Sequence, residues 1–387
     1  MTPDRPIAAA RDRLTDLDAL RGIAALLVVF YHLAWVLPEV NTATAMVLFT
    51  LPTHPVFNGR IPVIFFFVLS GAVLTRGLMA GGTSPPIFAA RRAVRLLLPT
   101  TAALILSAAL YQLCYNGPWP GETAWLRDAN WSVPPNILGF LRQALLLGAD
   151  PDFNAPPADN DFNLDVVLWS LVHELRLSLL LPAIVAARRF QGPGGAIVLL
   201  LAAGAVHAMS VAGHTEIESH IALGSSIGTS FIATAYFALP FATGAALSLG
   251  RWDQWQPTPD QRAAGLIAAI MLLCSDSDWA TIAASVLLIL MARQAGAFQR
   301  LLRRPALVWL GQISFSLYLA HVPVIVALNH IFHAVMPRLG IAALALLTVL
   351  PVAWALHRLA ERPSHRLSRR IGAMAPPRPA AKSTLAG

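Results

Sequence analysis

Charge is what this sequence lacks most. Only 12% of its 387 residues are Asp, Glu, Lys or Arg, and 56% are hydrophobic; a soluble domain carries about 25% charged residues. That balance excludes a soluble globular enzyme and a disordered chain. Cysteine is nearly absent: Cys114 and Cys274 are the only two, too few for a disulfide-built scaffold or a zinc ribbon. Lysine is scarcer still, Lys382 standing alone, and acids are outnumbered, so the formal net charge is +8. Nucleic-acid binding would need basic residues gathered on a solvated domain. Here they are arginines in short loops between apolar runs, which a positive-inside bias explains. No nucleic-acid partner is expected.

What the chain does have is a series of apolar runs long enough to cross a bilayer. They predict an all-α, polytopic transmembrane helical bundle of about ten spans, at roughly 17–37, 57–79, 93–115, 165–187, 194–212, 229–249, 262–275, 279–293, 307–333 and 341–359. The seventh and eighth are short enough to be tilted, re-entrant or one helical hairpin. The apolar stretch Pro135–Gly148 is shorter again and reads as a helix lying at the interface. Residues 1–16 form an N-terminal segment, 17–366 the membrane unit, and 367–387, rich in Ala and Pro, a disordered tail.

Arginines give the direction. Arg5, Arg11 and Arg13 precede span one; Arg91, Arg92 and Arg95 surround the start of span three; Arg188 and Arg189 follow span four; Arg300, Arg303 and Arg304 precede span nine. Alternate loops carry acids instead: Asp150, Asp152, Asp159 and Asp161, then Glu216 and Glu218, then Asp276 and Asp278. The alternation places both termini in the cytoplasm. No signal-peptide pattern precedes span one, which reads as an uncleaved anchor.

Ionisable groups at bilayer depth cost about 2.5–3.5 kcal/mol each on insertion scales, so each marks a candidate site. Arg21 and His32 share one face of span one, separated by about 16 Å of helical rise. The structural alternative is a snorkelling arginine and a packed histidine. Span four holds Trp169, Ser170, His173, Glu174 and Arg176, with Ser170 and Glu174 on one face. Glu174 falls near the depth of His32 and needs a partner on another helix, because Arg176 faces away. His173-Glu174 opens like a metalloprotease helix, but Leu177 stands where the second histidine belongs, so no metal site is expected. Span nine aligns Ser314, Tyr318 and His321 on one face, either as interhelical hydrogen-bonding groups or as a site wall. Arg91 and Arg95 share a face at the start of span three; beside Arg21 they form a candidate phosphate clamp.

Taken in order, these segments resemble the acyltransferase 3 family of integral membrane acyltransferases. LDALRGIAALLVVFYH resembles its opening motif through Arg21 and His32, and PVIFFFVLSG its second-span motif, with Ser70 and Gly71. ARRAVRLLLP resembles the arginine-rich motif through Arg91, Arg92 and Arg95, and LWSLVHEL the Trp-Ser-Leu-x-x-Glu pattern through Trp169, Ser170 and Glu174. GQISFSLYLAHVPV resembles the late Ser/Tyr/His motif, and Glu361-Arg362-Pro363 closes the series near residue 366. The family commonly has an aromatic pair after Glu174, where this chain has Arg176-Leu177-Ser178-Leu179; that departure concerns the acceptor side. The resemblance is to stand-alone members, without the SGNH-type hydrolase domain that is fused to some others.

The resemblance implies transfer of an acyl group, often acetyl, from cytosolic acyl-CoA to a hydroxyl of a carbohydrate or similar acceptor. The setting it implies is a multi-pass protein of a bacterial inner membrane. Arg21, Arg91, Arg92 and Arg95 are then expected to hold the donor phosphates. His32 is expected to act as general base with Glu174 orienting it. Ser70, Trp169, Ser170, Ser314, Tyr318 and His321 are expected to position substrate or the developing oxyanion. No permanently bound cofactor is expected. From the buried ions alone, the rival reading is a transporter or flippase with a His/Glu proton relay.

Overall fold

A chain in hydrocarbon must satisfy its own N–H and C=O groups, so its apolar runs fold as helices. A computed structural model describes residues 5–37, 53–80, 84–132, 134–147, 164–186, 192–213, 227–250 and 255–374. The first helices are α1 (Arg5–Trp35), the single turn α2 (His54–Phe57), α3 (Arg60–Met79) and α4 (Pro85–Cys114). Two short helices follow, α5 (Ala124–Ala129) and α6 (Ile137–Ala144), then α7 (Leu168–Ala186), α8 (Gly192–Gly213) and α9 (Ile227–Leu249). The last part holds α10 (Pro259–Leu273), α11 (Asp278–Ala292), α12 (Ala297–Leu302), α13 (Pro305–Phe332) and α14 (Arg338–Leu356). From α14 the chain runs through a π-helical turn (His357–Glu361) into α15 (Arg362–Ala373). No strand occurs among the described residues.

Eight of these helices are long and apolar enough to cross a membrane, α14 counting with its continuation into α15. The seventh and eighth expected spans are α10 and α11, 15 residues each, or about 22 Å of rise against the roughly 30 Å of a hydrocarbon core. They pack on one another across the turn at residues 274–277 and so form the helical hairpin. Local sequence sets their ends. Thr258 and Gln261 make a reciprocal capping box at α10, Thr123 caps α5 and Asn136 caps α6, each satisfying an orphan N–H.

Two boundaries differ from the sequence expectation. The segment ahead of span one is already helical from Arg5, and the disordered tail expected from residue 367 does not start there, since α15 continues to Ala373. Residues 375–387 lie outside the described residues, as do Asp150, Asp152, Asp159, Asp161, Arg188, Arg189, Glu216 and Glu218. Cys114 and Cys274 are both free thiols. Large apolar side chains such as Ile105, Leu113, Leu201, Met209 and Leu347 are exposed on the outside of the bundle, as expected when the solvent is lipid.

Two close helix pairs organise the bundle. α1 and α13 run parallel: Asp16 accepts from Arg303 at 2.8 Å and Gln299 at 2.9 Å at one end. Their pairing centres on Gly22 and Gly311, where a Cβ on Gly22 would lie 2.5 Å from the Gly311 nitrogen. Ten residues further along both helices, His32 meets His321. α3 and α9 cross the same way at Gly71 and Gly244, where a Cβ on either would overlap a backbone carbonyl oxygen, of Phe241 or Val68. Small residues at such crossings are how membrane helices gain backbone-to-backbone contact. Gly71→Ala is therefore expected to cost about 2–3 kcal/mol through overpacking. Gly77→Ala, on the same helix with open space around it, should be neutral or slightly stabilising. Thermal unfolding midpoints of the two variants in detergent test the contrast.

Candidate functional site

One cavity of about 790 Å³ runs into the bundle from the end that carries Asp18, Arg21 and α15. Its walls come from α1, α3, α4, α7, α13, the π turn and α15. Its volume is that of a pocket for a drug-sized ligand or cofactor.

The mouth is basic. Arg21 donates to Asp18 at 2.6 Å, its side chain 30% exposed. Arg92 and Arg95 reach the cavity from α4, one helical turn apart. Arg92 Nη2 donates to Glu174 Oε1 at 2.5 Å and its Nε to Ser178 Oγ at 3.3 Å. Ser70 Oγ donates to the same Glu174 oxygen at 2.5 Å. The carboxylate expected beside His32 is thus held by α3 and α4; the structure does not pair Glu174 with His32. Arg91 lies against Gly372 of α15 and does not line the cavity.

The floor is aromatic and hydroxylic. Phe66, Ser170, Phe315 and Tyr318 are there. The Tyr318 hydroxyl donates to the Val167 carbonyl at 3.0 Å and sits 2.7 Å from Ser170 Oγ, while Phe66 meets the Tyr318 ring edge-on at 5.9 Å. Ser314 lines the wall and bonds to the Gly311 carbonyl at 2.8 Å. Trp169 turns the other way, onto Phe237 and His173, and is not part of the lining.

Behind the floor lies the histidine pair. The His321 ring is 5.9 Å from Tyr318 and 5.0 Å from His32. His321 Nδ1 is 2.7 Å from the Tyr318 carbonyl, which only accepts, so the proton of His321 sits on Nδ1. Its Nε2 is then an acceptor for His32 Nδ1–H at 2.9 Å. The Val28 carbonyl, 3.1 Å from that His32 nitrogen, requires the same tautomer. The chain of bonds leaves His32 Nε2 with a free lone pair. Second partners fix which nitrogen of an imidazole reacts, and here the second partner is His321. Trp125 of α5 tilts over His32 at 5.2 Å and Tyr31 meets it edge-on at 5.0 Å.

One wall holds none of the expected site residues, although Glu361 and Arg362 belong to the closing motif. A single face of α15 and the π turn brings His357, Glu361, Arg362, His365, Arg366 and Arg369 to the cavity. Glu361 Oε2 accepts from Ser316 at 2.7 Å and from His357 Nδ1 at 2.9 Å, and Arg362 Nε donates to His357 Nε2 at 3.2 Å. The available signal was arginine at 362, 366 and 369, one helical face, which positive-inside bias explained too easily. Trp125 gave no signal, since nothing local marks a residue of a short helix that roofs a distant one.

A helical bundle whose ionisable side chains converge on an interior cavity with a cationic mouth is a multi-pass membrane protein with a buried polar site. This chain belongs to the acyltransferase 3 family: the family's model, an acyltransferase domain, matches residues 14–358. No curated protein and no solved structure matches significantly. The protein is a membrane acyltransferase.

Proposed function

We propose that this acyltransferase draws an acyl group, acetyl first among the candidates, from acyl-CoA and delivers it to a hydroxyl of a carbohydrate or related small acceptor, with His32 as general base. The observation that carries the reading is the tautomer chain Tyr318 carbonyl–His321–His32, which leaves His32 Nε2 with a free lone pair on the far side of Tyr318 from a cavity with guanidinium groups at its mouth. Those guanidiniums suit a phosphate-bearing donor. Arginine-rich ends on the mouth side support a cytosolic opening, with both termini on that side, in a bacterial inner membrane.

In this reading the donor enters from the cytosol, its diphosphate against Arg21 and Arg95 and its thioester at the floor. The Tyr318 ring separates the floor from the histidines, so a rotation of that side chain precedes transfer. His32 Nε2 takes the proton of the acceptor hydroxyl as its oxygen attacks the thioester carbonyl. Ser170, released from Tyr318 by that rotation, supplies a hydroxyl for the oxyanion. The carbon–sulfur bond then breaks, the ester remains on the acceptor, and the imidazolium returns its proton to the CoA thiolate. No resident cofactor is required by these steps.

The test is mass spectrometry of surface glycans from cells with and without the gene. The reading expects an acyl mass increment on a glycan hydroxyl to disappear when the gene is lost. Unchanged acylation across the glycans would overturn the carbohydrate acceptor.

A further inference from the structure

Helix α15 lies beyond residue 358, where the family match ends, so the placement of His365, Arg366 and Arg369 comes from the fold of this chain alone. The π turn ahead of it matters. One extra residue per turn re-phases a helix, and such turns concentrate at functional sites. Beyond it, Arg362, His365, Arg366 and Arg369 fall at i, i+3, i+4 and i+7 and face the cavity together. Ser364 and Ser368, on the opposite side of the helix, are buried, and Gly372 packs on Arg91 of α4. The helix is therefore fixed in place by its far side while its cationic side meets the cavity.

These cations are not used up in pairing. Arg362 is engaged with His357, and His365 lies 3.5 Å from Arg95 and 3.8 Å from Glu361. Arg366 and Arg369 are exposed and make no ion pair among the described residues. Like charges gathered around one opening are unfavourable without a counter-ion. The vestibule holds Arg21, Arg92, Arg95, Arg362, Arg366 and Arg369, with Asp18, Glu174 and Glu361 the only carboxylates among the lining residues.

We infer that α15 is the outermost wall of the donor site, and that Arg366 and Arg369 hold the 3′-phosphate end of coenzyme A. This rests on the acyl-CoA reading above. Exposure supplies the order. Tyr318 and Ser170 are buried at the floor, the Arg92 side chain is 11% exposed, that of Arg21 is 30% exposed, and Arg366 and Arg369 are open to solvent. Along the donor the order is thioester, pantetheine arm, diphosphate, then the ribose with its 3′-phosphate. With the thioester at the floor, the last phosphate comes to the cations nearest solvent. Arginine suits that contact because its planar fork binds phosphate oxygens in pairs.

The test is direct binding to the purified full-length chain in zwitterionic nanodiscs, by calorimetry, with CoA, 3′-dephospho-CoA and pantetheine as the probes. Wild type is expected to bind CoA about tenfold or more tightly than 3′-dephospho-CoA, a gap of one good charged contact. The double variant Arg366→Ala/Arg369→Ala should lose that preference by weakening CoA alone. Arg370→Ala removes the same charge from the same helix outside the cavity and should leave the preference intact. A double variant that still prefers CoA as wild type does would overturn this inference while leaving acyl-CoA as donor. An equal fall for all three probes would also overturn it, because the arginines would then act on the fold or on lipid headgroups. Wild type that binds none of the three would instead overturn the donor reading itself.

Discussion

His32→Ala is expected to lower acyl transfer by about 10²–10⁴-fold, the usual worth of a positioned general base, with little change in the apparent affinity for acyl-CoA. The separation of the two effects follows from geometry: the cavity that would take the donor is lined by Tyr318 and Ser170, and His32 is not part of that lining. Loss of kcat without loss of binding marks an interaction made in the transition state. His321 should act through His32. A leucine there removes one of the two acceptors of the Nδ1 proton and leaves the Val28 carbonyl alone to hold the tautomer. His321→Gln keeps an acceptor oxygen within reach of that proton. The expected ranking of activity is therefore wild type, then His321→Gln, then His321→Leu, with His32→Ala lowest. Steady-state rates beside a size-exclusion profile of each variant check the ranking, and a His321→Gln no better than His321→Leu would remove the tautomer argument.

Breaking the ion pair of Arg92 and Glu174 should produce the largest loss of stability at the site. Their side chains are only 11% and 19% exposed, and Glu174 also accepts from Ser70. Removing one member strands a charge in a poorly solvated wall, which costs about 3–5 kcal/mol for a buried pair. Either Arg92→Ala or Glu174→Ala is expected to approach that range. The combined variant Arg92→Leu/Glu174→Leu should be less destabilised than either, because no lone charge remains. Thermal unfolding of the three variants gives the coupling energy directly. If the double variant were as unstable as the sum of the singles, the pair would be two independent contacts. Donor binding should fall in all three, since Arg92 borders the cavity.

The bundle was legible in the sequence because a hydrocarbon solvent makes length and apolarity decisive. The short α10 and α11 stood out by length alone, and the structure makes them a hairpin. Some expected site residues came from the cost of buried polarity, while Ser70 and Arg92 came from the family resemblance. Arg21, Ser70, Arg92, Arg95, Ser170, Glu174, Ser314 and Tyr318 do line one cavity. Pairings were not legible. Depth arguments put Glu174 level with His32, yet helical rotation turns it to Ser70 and Arg92, and the partner of His32 is His321, set by the parallel register of α1 and α13. Arg91 and Trp169 carry the same motif spacing as their neighbours but point to α15 and to Phe237. Which face of a span meets which neighbour depends on tertiary packing, and single-span periodicity does not contain it. The C-terminal wall was missed for the opposite reason: its arginines had a sufficient explanation already.

In the proposed reaction the acyl end of CoA arrives at the floor, on the cavity side of Tyr318, with the His32–His321 pair behind it. Photolabelling tests it most directly, using the purified chain and an acyl-CoA with a diazirine at the end of a short acyl chain. Mapped by peptide mass spectrometry, the label should fall on α7 near Ser170, on α3 near Phe66 and on α13 near Tyr318, and excess CoA should abolish it. Label that CoA does not displace, or that falls where Tyr236 of α9 meets Asp278 of α11, would mean that the acyl end binds elsewhere.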